Sequence, residues 1–497
     1  MAEVYANDYA IEISGGVKIH VPADVKLMTP YILLEQEDWF EDEIKFVRTF
    51  LQPGMRVIDI GVNYGTYFLT AAKKVGENGK VWGFEPSNQC CEYVEKSIAT
   101  NKFQNTQLIR AGLSDYVGKA FLATSKNTEL NTVTDVIAEN QQGEFVELLT
   151  LDYCMDDLEL ADIDFMKIDA EGKESNIIIG GTNFFAKNSP LVMFELKHGN
   201  TVNHKLIGEF TDIGYKTYRL IPGLNCLVPC DIYDKLDAFQ LNLFACKQDR
   251  ADELQKQGIL VGESVSGNDF KDIDGLWKKY LGQFKYFNDL SSLFGVAFDQ
   301  SDVEKFKPYY HALDLYSYAH SDKNSFKNKY RALMESYRIL EALDATNPNL
   351  SIDISLVRVS VELGFRLSAV EKLGKLKELI QNGEALNFPV PFIAPTSMLD
   401  DIHLKNRFEK WIQIAILVSH QLLCAFSSYY LPTKNMNALL VANNIGIDIP
   451  EIRRRIFLTA GRFKFQNANT FLDKVDRIKD GHNSPVWELI FENIEES

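Results

Sequence analysis

The sequence predicts an α/β domain built on a mainly parallel sheet with one antiparallel edge strand, followed by an all-α domain. Three observations carry this. The run Val57-Ile58-Asp59-Ile60 leads into Gly61-Val62-Asn63-Tyr64-Gly65, the pattern of a strand that ends at a tight turn and passes into a helix. Between about residues 46 and 250, short apolar runs alternate with helical stretches, as parallel strands joined by crossovers require. From about residue 265 onward the punctuation changes to long amphipathic helices.

Taken in order, residues 1–45 form an N-terminal annex. Ala10–Ile13 and Val17–Val21 are two short strands separated by Gly15-Gly16, as a hairpin turn would be. Next, Trp39, Phe40, Ile44 and Val47 recur at helical spacing, which predicts a lid or edge-covering helix and leaves a ligand contact from Trp39 or Phe40 open. The 46–250 domain takes its strands from Arg56–Ile60, Val81–Glu85, Gln107–Arg110, Phe165–Asp169, Leu191–Glu195, Lys216–Leu220 and Leu241–Cys246. In residues 265–497, Phe326–Leu343 and Val361–Leu379 resemble one degenerate tetratricopeptide helix pair, at about 310–380. Stacked helix pairs of this kind point to a binding or dimerising domain, with a homodimer or a protein partner as its use. Trp411–Pro432 carries no Asp, Glu, Lys or Arg, but Gln413, Ser419, His420 and Gln421 interrupt it, so it reads as a buried helix and not a membrane span.

Composition narrows the function. A chain of 497 residues holds two or three domains. Its net charge of −17 argues against a nucleic-acid partner, because phosphate binding needs a basic surface. Seven cysteines without paired metal-ligand spacing read as reduced thiols; Cys226 and Cys230 lie close together but have no second ligand pair nearby. Met1–Asp8 has neither the basic start nor the apolar stretch of a signal peptide, which with the thiols predicts a cytoplasmic protein.

The turn after Ile60 is where chemistry concentrates. Gly61 and Gly65 let the backbone approach a ligand, and the following helix aims unpaired N–H groups at it. Glu85 falls 20 residues after Gly65, where such folds hydrogen-bond a ribose diol. An NAD site and an S-adenosylmethionine site share this layout. Asn63 replaces the glycine that lets a pyrophosphate touch backbone, and Asp59 is an anion beside the place a diphosphate would occupy. Both features favour a cationic amino-acid ligand, and so a methyltransferase over an NAD-dependent oxidoreductase.

Further segments resemble one family. "VIDIGVNYGTY", "GFEP" at Gly83–Pro86, "AGLSDYVG" at Ala111–Gly118, "LLTLD" at Leu148–Asp152, "FMKIDAEGKE" at Phe165–Glu174 and "LVMFELKHG" at Leu191–Gly199 are similar, in order and spacing, to the FkbM-type methyltransferases. The likeness spans roughly residues 45–250, with Val62 and Lys173 as departures. It implies a Rossmann-like class I methyltransferase domain that uses S-adenosyl-L-methionine for O-methylation of a sugar, glycan or glycosylated metabolite. It further implies that Asp59, Gly61, Asn63 and Gly65 line the methionine part of the cofactor, that Glu85 holds the ribose hydroxyls, and that Ser114 and Asp115 lie beside the adenine.

Methyl transfer to a hydroxyl needs an aligned oxygen and a proton acceptor, because the sulfonium is already a good leaving group. Candidates are Asp169, Glu171, Glu195 and His198, all at or just beyond strand ends; Glu195 and His198 are also placed to touch the acceptor. Lys167 would pair with one of the acids. Asp169 and Glu171 could instead hold a divalent metal, but no carboxylate-rich cluster completes an oxygen cage, so a metal-free base is favoured. The alternative from another class is a non-catalytic scaffold that keeps the cofactor fold and binds proteins through its helices.

Overall fold

The computed structural model describes residues 8–134, 141–198, 201–231, 233–262, 270, 272–300, 303–384, 386–404, 408–432, 439–441, 443, 449–463 and 483–495. The chain opens with the expected hairpin: β1 (Asp8–Ile13) pairs antiparallel with β2 (Val17–Pro22), and Gly15 and Gly16 turn between them at φ 91° and 73°. The stretch after it is not one helical face. Helices Met28–Gln36 and Glu43–Phe50 are separated because Glu37 adopts φ 54° and ends the first, and Asp38 is gripped by both terminal nitrogens of Arg48 at 2.6 Å. Trp39, Phe40 and Glu41 therefore sit on a loop, free to face a ligand.

The main sheet begins with β3 (Arg56–Ile60), β4 (Lys80–Phe84) and β5 (Thr106–Ile109). Residues 112–149 then form a second sheet that the sequence reading did not anticipate. It consists of β6 (Gly112–Leu113), β7 (Gly118–Ala123), β8 (Thr132–Thr134) and β9 (Gly143–Leu149), in the order β6-β9-β7-β8. The main sheet resumes with β10 (Phe165–Ile168) and β11 (Leu191–Glu195). The short pair β12 (Lys197–His198) and β13 (Thr201–Val202) follows, then β14 (Lys216–Ile221), β15 (Cys226–Pro229) and β16 (Asn242–Cys246).

Spatial order in the eight-stranded sheet is β15-β14-β16-β11-β10-β3-β4-β5. Strands β5, β4, β3, β10 and β11 are parallel neighbours joined by helical crossovers. β15 is the antiparallel edge, and β16 adds a second reversed strand inside the sheet, between β11 and β14. No helix among the described residues separates β14, β15 and β16, and antiparallel neighbours need none.

Side-chain alternation along the strands builds two apolar layers. Ile58, Ile60, Met166, Ile168, Val192 and Phe194 face helices such as Thr182–Lys187 and Lys205–Asp212. Val57, Val81, Phe165, Leu191 and Phe244 face the other way, toward Glu43–Phe50 and Thr66–Val75. This second layer continues without a break into the helical region, through Tyr286, Tyr309, Leu333, Trp411, Phe457 and Trp487.

The helical region includes Val303–Ala319, Phe326–Thr346, Leu350–Glu362 and Arg366–Gln381, with Gly364 at φ 81° turning between the last two. Ser325 and Asn349 cap their helices by accepting from Asn328 and from Ser351 and Ile352. Phe408–Leu423 is buried among them, and no helix among the described residues is long and apolar enough to cross a membrane. Two further helices, Pro450–Phe463 and Ser484–Glu495, pack back on the annex. There Glu35 and Arg455 form an ion pair at 2.9 Å with side chains 0% and 2% exposed.

Candidate active site

A cavity of about 520 Å³ opens beyond the carboxyl ends of the parallel strands. Register sets its floor. Asp59 on β3 stands beside Lys167 on β10 and Gly83 on β4, so acid and ammonium share one face of the sheet. A Cβ on Gly83 would lie 2.7 Å from Phe68 and Val62, so a larger residue would push the helix Thr66–Val75 away.

Two strained loops face each other across this floor. Gly61 (φ 80°) lies so close to the next strand end that a Cβ there would fall 1.8 Å from the Asp169 carbonyl oxygen. Asn63 (φ 49°) and Glu171 (φ 51°) also adopt the left-handed region. The second loop is closed by Glu174, whose Oε1 accepts from Ala170 N at 3.1 Å and Gly172 N at 3.0 Å. Gly65 (φ 92°) precedes the helix Thr66–Val75 and brings its N-terminus to the cavity.

The acids fall into two groups. At one end, Asp59 is 2% exposed and neither carboxylate oxygen accepts a hydrogen bond. Burial, opposed by the Lys167 charge, pushes it up to about 7. Glu85 accepts from Asn63 N and Ser87 N, each at 2.8 Å, which leaves two of its roughly four lone-pair sites for a ligand. Burial raises it to about 7 despite those bonds. Ser114 lines the cavity, while Asp115 is exposed outside the lining, where it accepts from Ser114 at 3.0 Å and Asn176 at 2.8 Å.

At the other end stand Glu41, Asp169, Glu171 and Glu195, all lining the cavity. Lys167 donates to Asp169 Oδ2 at 2.8 Å and lies 3.8 Å from Asp59 Oδ1, so it bridges the two groups. Burial works to discharge this lysine, but the Asp169 and Asp59 charges outweigh it and hold its pKa above the ordinary value. Burial and the Asp169 charge raise Glu171 to about 8. Burial and the neighbouring acids hold Glu195 well above the usual carboxylate range. The side chain of His198 lies outside the described residues.

Several lining residues were not singled out in the sequence. Tyr67, the second residue of Thr66–Val75, donates to Glu41 at 2.5 Å and has the Lys167 ammonium 5.3 Å from its ring centre. Thr128, in the second sheet's connecting segment, donates to Asn63 Oδ1 at 2.8 Å, and its neighbour Glu129 presents a buried Oε1 without a hydrogen bond. Phe426, Tyr429 and Tyr430 come from the helical region. Trp39 and Phe40, left open above, do line the cavity.

The residues present fit S-adenosylmethionine. The Asp59 carboxylate, which accepts no hydrogen bond, suits an ammonium, the free capacity on Glu85 suits a diol, and the Gly61 close approach leaves room only for backbone. Among the described residues, no group of three or more His, Cys, Asp or Glu is arranged to hold a metal ion.

Residues 59–217 match the family model of the methyltransferase FkbM domain. No curated protein matches the chain. Among solved structures, an FkbM methyltransferase from Methylobacillus flagellatus KT is 14% identical, with 39% of this chain and 43% of that chain covered and a TM-score of 0.27. An S-adenosylmethionine-dependent O-methyltransferase from Thermotoga maritima is 16% identical, covering 41% and 64% with a TM-score of 0.23. An rRNA methylase from Streptococcus thermophilus is 12% identical, covering 41% and 93% with a TM-score of 0.24. The match over residues 59–217 gives the chain an FkbM-type domain in its N-terminal part and makes it an S-adenosylmethionine-dependent methyltransferase.

Proposed function

We propose that the protein methylates a hydroxyl of a sugar, glycan or glycosylated metabolite, in the cytoplasm and without a metal. The observation that carries this reading is the carboxyl cluster of Glu41, Asp169, Glu171 and Glu195 in the same cavity as the Asp59 and Glu85 pair. Bound S-adenosylmethionine supplies an electrophilic methyl group on a sulfonium that leaves without protonation. Asp59 holds the amino-acid end and Glu85 the ribose hydroxyls, with Gly61, Asn63 and Gly65 shaping the loop around them and Ser114 beside the base.

Residues at the acceptor end orient a hydroxyl and take its proton. Asp169, fixed by Lys167 at 2.8 Å, accepts the hydrogen bond that aims the oxygen. Glu171, with its pKa raised to about 8, is poised to receive the proton near neutral pH. Glu195 contacts the acceptor's neighbouring groups. The helices at 310–380, four where the sequence suggests one tetratricopeptide-like pair, are the surface offered to a protein partner or a second copy.

Tritium transfer from labelled S-adenosylmethionine into a panel of methyl hexopyranosides and short oligosaccharides tests the reading. Asp169→Asn should lose on the order of 10²–10⁴ in turnover while binding S-adenosylhomocysteine within a few-fold of the parent. Activity should climb with pH to a plateau above about 8, and Glu171→Gln should flatten that climb. Full turnover in Asp169→Asn would remove it from the site, and turnover lost to a chelator and restored by magnesium would overturn the metal-free account.

A further inference from the structure

The match to the family model stops at residue 217, yet the cavity does not. Phe426 and Tyr430, more than 200 positions further along the chain, form part of its wall. Phe426 packs against Phe40 with ring centres 5.1 Å apart, and Phe40 against Trp39 at 4.7 Å, so the helical region and the annex loop meet in one aromatic surface beside Glu41. On its far side Phe426 contacts Phe239 at 5.6 Å, and the guanidinium of Arg366 lies 4.8 Å and 4.7 Å from the two ring centres. Arg366 also donates to the carbonyls of Leu422, Leu423 and Ala425, which ties the end of helix Phe408–Leu423 to this place.

The segment between these aromatics is held by an unusually costly device. Glu35, fully buried, accepts from Ser427 Oγ at 2.7 Å, Ser428 Oγ at 2.8 Å and Ser428 N at 3.1 Å, while pairing with Arg455. Tyr31 adds hydrogen bonds to Ser428 at 2.8 Å and Thr459 at 3.1 Å. A buried ion pair is weak evidence for stability, because desolvating two charges offsets their attraction. What such a network does secure is one position for the backbone it binds, here the residues that flank Phe426 and Tyr430. Tyr430 itself is 50% exposed, and its hydroxyl donates to Met28 Sδ of the annex. Tyr430 thus stands at the rim of the cavity with half of its surface open to a ligand.

We infer that the helical region completes the acceptor site, with Phe426 and Tyr430, together with Trp39 and Phe40, forming a platform for the apolar face of a neutral pyranose ring whose hydroxyls reach the facing carboxyls. This rests on the O-methyltransferase reading above and assigns the helical region a substrate-recognition role. Aromatic faces beside grouped carboxyls match a pyranose, which presents C–H groups on one face and hydroxyls at its edge. Glu195, which burial and the neighbouring acids hold well above the usual carboxylate range, stays protonated near neutral pH, able to donate and accept, which suits vicinal hydroxyls better than a cation.

The test uses the full-length protein saturated with S-adenosylhomocysteine, titrated with methyl α-D-hexopyranosides and with glucosamine as the cationic control, and read by calorimetry and by Trp39 fluorescence against a Trp39→Phe blank. Wild type should bind at least one neutral pyranoside in preference to glucosamine. Tyr430→Ala and Phe426→Ala should each weaken that binding about tenfold or more, with S-adenosylhomocysteine affinity within twofold of the parent and Tyr430→Phe near wild type. Unchanged pyranoside affinity in both alanine variants would overturn this inference alone and leave the methyl-transfer reading standing. A wild type that binds glucosamine more tightly would overturn the neutral-ring inference, and one that binds neither kind of sugar would end the sugar reading and this inference together.

Discussion

The two ends of the cavity are built by opposite means. The cofactor end is assembled from one short stretch, Asp59 to Gly65, plus Glu85 at the end of the next strand, and its contacts are local: Asn63 N to Glu85 spans 22 positions. The acceptor end draws on the annex loop, on β10 and β11, and on residues 426–430, whose anchor to Glu35 spans 392 positions. A ligand shared by many proteins can be met by a compact, recurring loop. The wall at residues 426–430 lies outside the part of this chain that matches the family model, and it is fixed by long-range burial.

The contrast can be broken hardest at Gly61. Gly61→Ala places a methyl 1.8 Å from the Asp169 carbonyl oxygen at φ 80°, so the two loops must separate, and S-adenosylhomocysteine binding should fall by at least a hundredfold. Binding within a few-fold of wild type by calorimetry would show that the loops do not need this approach. The corresponding break at the other end is Glu35→Ala, which removes one of the two carboxylates paired with the buried Arg455, Glu451 staying at 2.8 Å, and takes the acceptor from Ser427 and Ser428; it should cost about 1–3 kcal/mol in urea unfolding. Replacing both partners, Glu35→Leu with Arg455→Met, should recover most of that loss while leaving residues 427 and 428 without their anchor. A single variant as stable as the parent would mean that the ion pair is not the anchor it looks to be.

Legibility followed the same division. Gly61, Asn63, Gly65, Glu85 and the Asp169 loop could be read because strand, turn and acid are adjacent in sequence. Trp39 and Phe40 recur with Ile44 and Val47 at helical spacing, yet the Asp38–Arg48 pair and the left-handed Glu37 break that helix. Periodicity cannot register a break made by a salt bridge. The second sheet escaped notice because β6 and β8 hold two and three residues, too few for alternation to register. Nothing near Phe426 or Tyr430 in the sequence marks them, since what places them is Glu35 and Arg455.

A gentler probe sharpens the comparison through pH. Asp59, Glu85 and Glu129 are each raised to about 7 and Glu171 to about 8, so the folded state holds protons that the unfolded chain releases above its ordinary carboxylate range. Stability from these groups is fully present below about pH 4 and is lost as pH rises through about 7 to 8. The ligand-free protein should therefore melt a few degrees lower at pH 8 than at pH 5.5. Asp59→Asn should reduce that slope without lowering the melting temperature at pH 8, because it removes a buried carboxylate that no hydrogen bond satisfies. A melting temperature that rises with pH over this range would contradict the assignment of these acids as buried groups with raised pKa values.

The central claim is that the Asp59–Glu85 end of the cavity is a site for S-adenosylmethionine, and calorimetric titration of full-length wild type and Glu85→Ala with S-adenosylhomocysteine and with NAD tests it most directly. Wild type should bind S-adenosylhomocysteine and give no heat with NAD. Glu85→Ala should weaken binding by about 1.5–3 kcal/mol, the worth of hydrogen bonds to a charged group. NAD binding to wild type, or an S-adenosylhomocysteine affinity unchanged in Glu85→Ala, would contradict it.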